Sequence, residues 1–479
     1  MLRTNFVSMF IIAAFSSVIL INCDFTNNPD EEENSENNGF QSAGVSIIFS
    51  QNCSTFGCHS GDKPKNGLSL ETYDKLITGS NSRSASLAGI YGGEVIIPFN
   101  SKKSLLYQMI SGGASVSMPF NKSTLSSVDV NVIKNWIDDG AVNYKKEVPF
   151  TNSKSYRVFV CNQASDEISV IDGDSKLVSR VVSVDKMYNF NDKPYSINEE
   201  GDYYFVTLSA SGRFLKINKS DNKIVAELNN LNSPGLIEIN GEKAFISRAS
   251  DSPNIFNSIY VVNTVSMNLI GEISLVTTGI PHAIAIAKGD SKLYAVDKTN
   301  NVINIISTIE NVTTGYVLLP KVYEPAYARM SPDNKYLYLT ADATNELLVV
   351  STQTRNIIFE IKLKGTPSQF VITSDGNKIY IPILSEDIIQ VVEKDNESWS
   401  VVKEITHTGL SMPHACDITS DDKYVYVSSR NTNGGFVPSY RINGEGNNGT
   451  VVIISTETDE VIKLLEIEEY GSGIVVEKI

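Results

Sequence analysis

One motif returns six times through the later part of the 479-residue chain, and nothing else in the sequence narrows the fold so far. The starts "KPYSINEEGDYYFVT", "SPGLIEINGEKAFIS", "IPHAIAIAKGDSKLYAV", "EPAYARMSPDNKYLYLT", "TPSQFVITSDGNKIYIP" and "MPHACDITSDDKYVYVS" each open near a proline and run as a short apolar strand. Each then turns at Gly, Asp or Asn and returns as an aromatic and β-branched strand. A third strand such as "ELLVVST" or "GTVVIIS" follows, and usually a fourth such as "NIIFEIKL" or "EVIKLLEI". Four strands in a unit of roughly 40 residues predict one blade of a β-propeller. The ends of the segment decide the count. It begins with "SYRVFVCNQASDEISVID", a second and third strand lacking a first, and ends with "GSGIVVEKI", a first strand lacking a second. Joined, they complete a seventh blade and leave no free sheet edge.

These units, on "MSPDNKYLYLTADATNELLVVST" and "ITSDDKYVYVSS", resemble the YVTN-type repeats of the YncE-like propeller family. The resemblance implies a seven-bladed all-β propeller over 155–479 and carries little about function, because one fold hosts many sites. The residue after each opening proline starts an innermost strand. Tyr195, Gly235, His282, Ala326, Ser368 and His414 are therefore expected to ring one end of the central tunnel. Two of the four histidines in the chain fall there, on the fourth and seventh blades when the ring-closing blade is counted first. One reading is a hydrated channel mouth that tolerates His. The other is a site in which His282 and His414 face a bound anion, metal or second haem, with imidazole as ligand or proton donor.

Ahead of the repeats lies "QNCSTFGCHSGDKPKNGLSLETYDKLITG", residues 51–79. Cys53 and Cys58 stand four residues apart with His59 directly after the second. In the common haem c attachment pattern the two cysteines are separated by two residues, so this spacing is wider. The alternatives are a Cys53–Cys58 disulfide, or a zinc or iron–sulfur site, for which neither the cysteines nor the histidines suffice as four ligands. The flanks have helical patterns: "VSIIFSQN" before, and "LETYDKLITG" after, with Tyr73, Leu76 and Ile77 on one face. A haem iron also takes a distal ligand, usually a methionine sulfur. Met109 falls on an apolar helical face with Leu105, Leu106 and Ile110 and is expected in the core, whereas Met118 sits in the loop "GGASVSMPF". In "LSSVDVNVIKNWIDDGA", Ser126 and Asp129 approximate a capping box, Val132, Ile133, Trp136 and Ile137 line one face, and Gly140 can end the helix.

The order of attachment site, "NGLSLETYDKLITG", "SKKSLLYQMISGG", "SMPF" and "VIKNWIDDGA" resembles the planctomycete-type cytochrome c domain. It implies a small all-α domain over 41–148 with one haem c. Cys53 and Cys58 would carry the covalent attachment, and His59 and Met118 would be the axial ligands of the iron.

The first residues bear on location. Arg3 followed by an apolar run from Phe6 to Ile21 reads as a secretory signal over 1–22. Its end, Leu20-Ile21-Asn22-Cys23, resembles the lipobox of bacterial lipoproteins, which implies acylation of Cys23 and a membrane anchor. The stretch 23–40, with "DEEENSENN", has almost nothing apolar to bury and is expected to be an acidic tether. A formal net charge of −15 makes nucleic acid a poor partner, since phosphate binding needs clustered Lys and Arg. Cys161 and Cys416 lie in apolar strand-like runs and are expected to be buried thiols, a disulfide between them being the alternative in an oxidising compartment.

Together these features predict an exported, lipid-anchored c-type cytochrome on the periplasmic face or outer cell surface. It would exchange electrons with a redox partner protein, with the propeller docking a partner or substrate. Two alternatives stand beside this. One is a periplasmic oxidoreductase similar to the cytochrome-plus-propeller nitrite reductases, whose propellers have eight blades. The other is a surface lipoprotein that binds without redox chemistry.

Overall fold

The computed structural model describes residues 37–79, 94–151, 155–186, 191–249, 254–396, 398–438, 440–444 and 446–478. The expected signal, the lipidation site Cys23 and most of the tether lie outside the described residues; the tether's expected end is corrected, because Phe40 is buried in the core of the helical region. Among those described, no helix is long and apolar enough to cross a membrane.

Seven four-stranded antiparallel sheets form a closed ring. In blade 1 the last strand of the chain, Gly471–Val476, pairs with Arg157–Asn162, which is followed by Glu167–Asp172 and Leu177–Ser183. The ring closes as the incomplete ends of the repeat segment require. The innermost strands of blades 2 to 7 are Pro194–Glu200, Pro234–Asn240, Pro281–Ala287, Pro325–Met330, Val371–Ile372 and Pro413–Ile418. Burial grades outward from the axis. Pro281–Ala287 is buried at every residue, while the outermost strand of the same blade, Val312–Leu318, alternates between exposed and half-buried side chains. The innermost strand of that blade is thus covered on both faces, and its outermost strand keeps the period-2 pattern of a half-solvated sheet.

Neighbouring blades interlock through large side chains, as where Phe159 of blade 1 stacks on Tyr204 of blade 2 at 4.4 Å between ring centres. The closure is tight enough to dictate a glycine. A Cβ at Gly473 would lie 2.8 Å from the Tyr195 carbonyl oxygen of blade 2. Cys161 and Cys416, in different blades, are both buried and free, and burial pushes both thiols far up. The disulfide alternative for this pair is therefore not formed.

The described part of 37–148 is helical, with α1 Ala43–Asn52, α2 Tyr73–Ile77, α3 Leu105–Ser111 and α4 Ser127–Asp138. Ser42, Thr72 and Ser126 accept a backbone N–H from the first turns of α1, α2 and α4. Phe40, Phe49, Tyr73 and Trp136 pack edge to face at 5.4–6.4 Å, with Ile133 and Ile137 of α4 fully buried beside them. The polar ends of the rings are satisfied: Tyr73 Oη donates to the Ala141 carbonyl and Trp136 Nε1 to that of Val142.

This region sits on the perimeter of blades 1 and 7. Lys103 pairs with Glu468 and, at 3.5 Å, with Glu167. Ile97 joins the core shared by Val158, Val178 and Ile453. Arg180 donates to the Pro149 carbonyl at 3.2 Å and lies over the Phe99 ring.

Candidate functional site

Helix α1 ends at Cys53, whose backbone N–H still bonds to the Phe49 carbonyl. The chain then folds back in short turns, Cys58 N to Thr55 O at 2.9 Å and His59 N to Cys53 O at 3.2 Å, so that both cysteines and the histidine share one loop. Both cysteines are half-buried, free thiols, so the expected disulfide alternative is not formed here either. The Cys53 thiol is pushed up to about 11, chiefly by burial and then by Cys58 close by, and it is held as SH in the absence of a reaction partner.

His59 is oriented through one nitrogen. Its Nδ1 lies 3.1 Å from the Leu68 carbonyl oxygen, and its own carbonyl accepts from Leu70 N at 2.9 Å. Burial lowers its proton affinity against the opposing hydrogen bonds of the Leu68 and Lys65 backbone, so the ring is held neutral and oriented by its own loop. Met118 packs on the margin of the same aromatic core as Cys53 and Leu68. Its backbone N–H bonds to the Met109 carbonyl at 3.0 Å. Met109 departs from expectation: Leu106 and Ile110 are the buried residues of α3, and Met109 is half-exposed. With seven residues, α3 turns a narrow face inward, and the methionine falls on its flank.

Cys53, Leu68, Tyr107, Met118 and Leu125 are among the partly buried hydrophobics packed against this core. Two thiols, an imidazole, a thioether and partly covered apolar side chains are the residue types that a covalently attached haem requires. Among the described residues no three His, Cys, Asp or Glu side chains cluster so as to hold a bare metal ion.

A feature the repeat analysis passed over locks this region to the propeller. The connection between the second and third strands has four residues in five blades, but in blade 7 it runs from 430 to 447. Its Ile442 bridges to Ala114, Ser115 N donates to Arg441 O at 2.8 Å, and Asn443 N donates to Gly113 O at 2.7 Å. Asn66, in the loop between His59 and Leu68, donates to Tyr440 Oη at 2.6 Å. One loop thus grips both the Met118 segment and the His59 segment. The interval between "YVYVSS" and "GTVVIIS" was the available signal, being several times longer than in the other repeats.

The propeller tunnel differs from expectation at the histidine end. His282 is fully buried and His414 is 6% exposed, so neither faces a hydrated mouth. Tyr195 Oη lies 2.9 Å from His282 Nε2, and Tyr327 Oη lies 2.9 Å from His414 Nε2, each bond joining blades two steps apart. His282 Nδ1 is 2.6 Å from the Ala326 carbonyl oxygen. Tyr327 also packs edge-on against both imidazoles, at 5.2 and 6.0 Å between ring centres. The four rings form a floor across the tunnel and tie its blades together. Both Nε2 atoms are engaged by tyrosines, so a second haem or a metal would have to displace those bonds.

Below the floor the tunnel opens as a cavity of about 290 Å³. Tyr327 lines its inner end, Asn198, Glu238, Arg329 and Asp417 its wall, and Glu200, Lys288 and Lys478 lie where the inner strands end. Burial raises Glu238 to about 6 against the pull of Arg329, Lys478 and Lys288.

No family model matches the chain, and no curated protein matches it in sequence. Solved structures match the propeller. A functionally unknown protein from Desulfotomaculum acetoxidans is 14% identical with a TM-score of 0.54, covering 68% of this chain and 99% of its own. A candidate 6-phosphogluconolactonase from Bacteroides uniformis is 12% identical with a TM-score of 0.52, covering 68% and 100%. A hypothetical selenium-binding protein from Sulfolobus tokodaii is 12% identical with a TM-score of 0.53, covering 67% and 93%. At such identities the likeness defines a class by fold alone: a seven-bladed β-propeller.

Proposed function

We propose that this protein is an exported, lipid-anchored electron carrier in which the helical region binds one haem c and the propeller serves as a docking module. Cys53 and Cys58 would hold the haem through thioethers, and His59 and the Met118 sulfur would ligate its iron. A haem c bound there supplies one-electron exchange, and methionine ligation favours the ferrous state. The chain's own contribution is orientation. The Leu68 carbonyl fixes the His59 tautomer, the Met109 carbonyl anchors the Met118 loop, and the 430–447 loop braces both segments. The observation that carries the reading is that His59 shares one loop with two free thiols, and that Cys53 and Met118 both pack, partly buried, against the same aromatic core.

Acylation at Cys23 would keep the protein on the periplasmic face or outer cell surface, where a redox partner protein would meet it. The full chain, produced with a haem-ligation system, is expected to give a peroxidase-active band after denaturing electrophoresis and a reduced spectrum of one low-spin haem per chain. A colourless band under those conditions overturns the proposal.

A further inference from the structure

The open end of the propeller tunnel carries chemistry that the electron-transfer reading does not use. Side chains on a strand alternate in direction, so the second, fourth and sixth residues after an opening proline line up at successive depths. At the fourth position stand Asn198, Glu238, Arg329 and Asp417 of blades 2, 3, 5 and 7, and the sixth position of blade 2 is Glu200. Several of these groups are already committed. Asn198 bonds to the Ile237 carbonyl and to Glu199 N, Asp417 accepts from Val476 N at 2.9 Å, and Glu199 is paired with Lys219 at 2.6 Å.

Two other lining groups are not. Among the described residues, the Glu238 carboxylate and the Gln369 side-chain amide have no hydrogen-bond partner, and both line the cavity. At the rim, the Lys288 and Lys478 ammonium groups lie beside one another, and neither has a carboxylate at ion-pair distance among the described residues. The neighbouring Lys478 charge, with partial burial, lowers the proton affinity of Lys288 against the weaker pull of Glu238 and Glu200. An anion bridging the two ammonium groups would relieve their repulsion. The cavity, about 290 Å³ and closed at its inner end by Tyr327, is at the small end of the range for ligand pockets.

We propose that this funnel binds a small organic anion whose carboxylate or phosphate bridges Lys288 and Lys478 at the rim and whose other end donates hydrogen bonds to Glu238 beside Gln369. Arg329 borders the same space, its Nε bonded to the Phe370 carbonyl at 2.6 Å and one terminal nitrogen 3.8 Å from Asp417, so it adds positive potential without being free to swing. The site is on the face opposite the histidine floor, and its occupation does not depend on haem.

Calorimetry of the full-length protein with tartrate, malonate and inorganic phosphate tests this. Tartrate, which has both carboxylates and hydroxyl donors, should bind most tightly, with malonate and phosphate weaker. The double change Lys288→Ala and Lys478→Ala, both at exposed rim positions, should weaken tartrate by about tenfold or more, as expected for removing charged hydrogen-bond donors, with no change in melting temperature. Glu238→Gln should shrink the preference for tartrate over malonate. Absence of binding by all three probes, or tartrate binding that survives the double lysine change, overturns the site. Equal binding of tartrate and malonate overturns the role given to Glu238.

Discussion

The propeller closes its core almost entirely with its own strands, Ile97 being what the helical region adds to it, whereas several side chains packed against the helical core are only half covered. In the propeller, residues such as Phe159, Leu208, Leu339 and Val427 are fully buried between blades. Around Cys53 and Met118 the apolar side chains are half-buried, in a region small enough that every uncovered side chain matters. A ring of sheets can satisfy itself because each blade buries the next. The small helical region has an aromatic core of its own, with Cys53 and Met118 only partly buried at its edge. The two regions should therefore respond differently to the same kind of change.

The largest expected effect is on haem content. Replacing Cys53 and Cys58 by Ala together should abolish covalent haem entirely and lower the melting of the helical region, leaving the propeller transition in place by calorimetry. Coincident loss of both transitions would break the contrast. Next, Met118→Ala should keep the haem attached but lower its reduction potential on the order of 100 mV, because a ligand favouring ferrous iron is removed. Redox titration reads this directly, and an unchanged potential would reassign the distal ligand.

The propeller should be hurt through its floor. Tyr327→Phe leaves His414 Nε2 buried and unpaired and should cost about 1–3 kcal/mol in chemical denaturation, with the haem spectrum unaffected. His414 also makes this region sensitive to pH. Burial, then Arg430 and His282, holds it neutral, well below the ordinary imidazole value. The unfolded chain takes up the proton near pH 6.5 and the folded chain does not, so stability is full above that pH. It falls as pH drops, by at most about 1.4 kcal/mol per unit for this one group. His414→Gln should flatten the slope between pH 6.5 and 5. The smallest effect is expected at Met109→Ala. A half-exposed side chain on the flank of α3 should cost no more than about 1 kcal/mol and leave the potential alone, since the hydrogen bond to Met118 comes from the Met109 backbone carbonyl, which the change keeps.

Repetition made the propeller legible from sequence, down to the sharing of blade 1 between Arg157–Asp172 and Gly471–Val476. Each repeat writes its strands in local patterns of period 2, with Asn and Asp at left-handed turn positions such as Asn301, Asn345 and Asp387. The four helices and the capping role of Ser126 were equally readable, because capping and helical periodicity act within a few residues. Which side chains meet across the ring was not. Tyr195 and His282, or Tyr327 and His414, come together only because closure brings blades two steps apart onto one axis, and no local pattern encodes that distance. The same holds for the hold of Tyr440, Arg441 and Asn443 on Asn66 and Gly112–Ser115: the loop's length was visible, but its target was set by how the helical region packs on blades 1 and 7. Local sequence determined the elements and the donor groups, because backbone propensity and turn chemistry are short-ranged. The tertiary structure decided which histidines were bonded away and which cavity stayed open, because burial and pairing depend on parts of the chain that are remote in sequence.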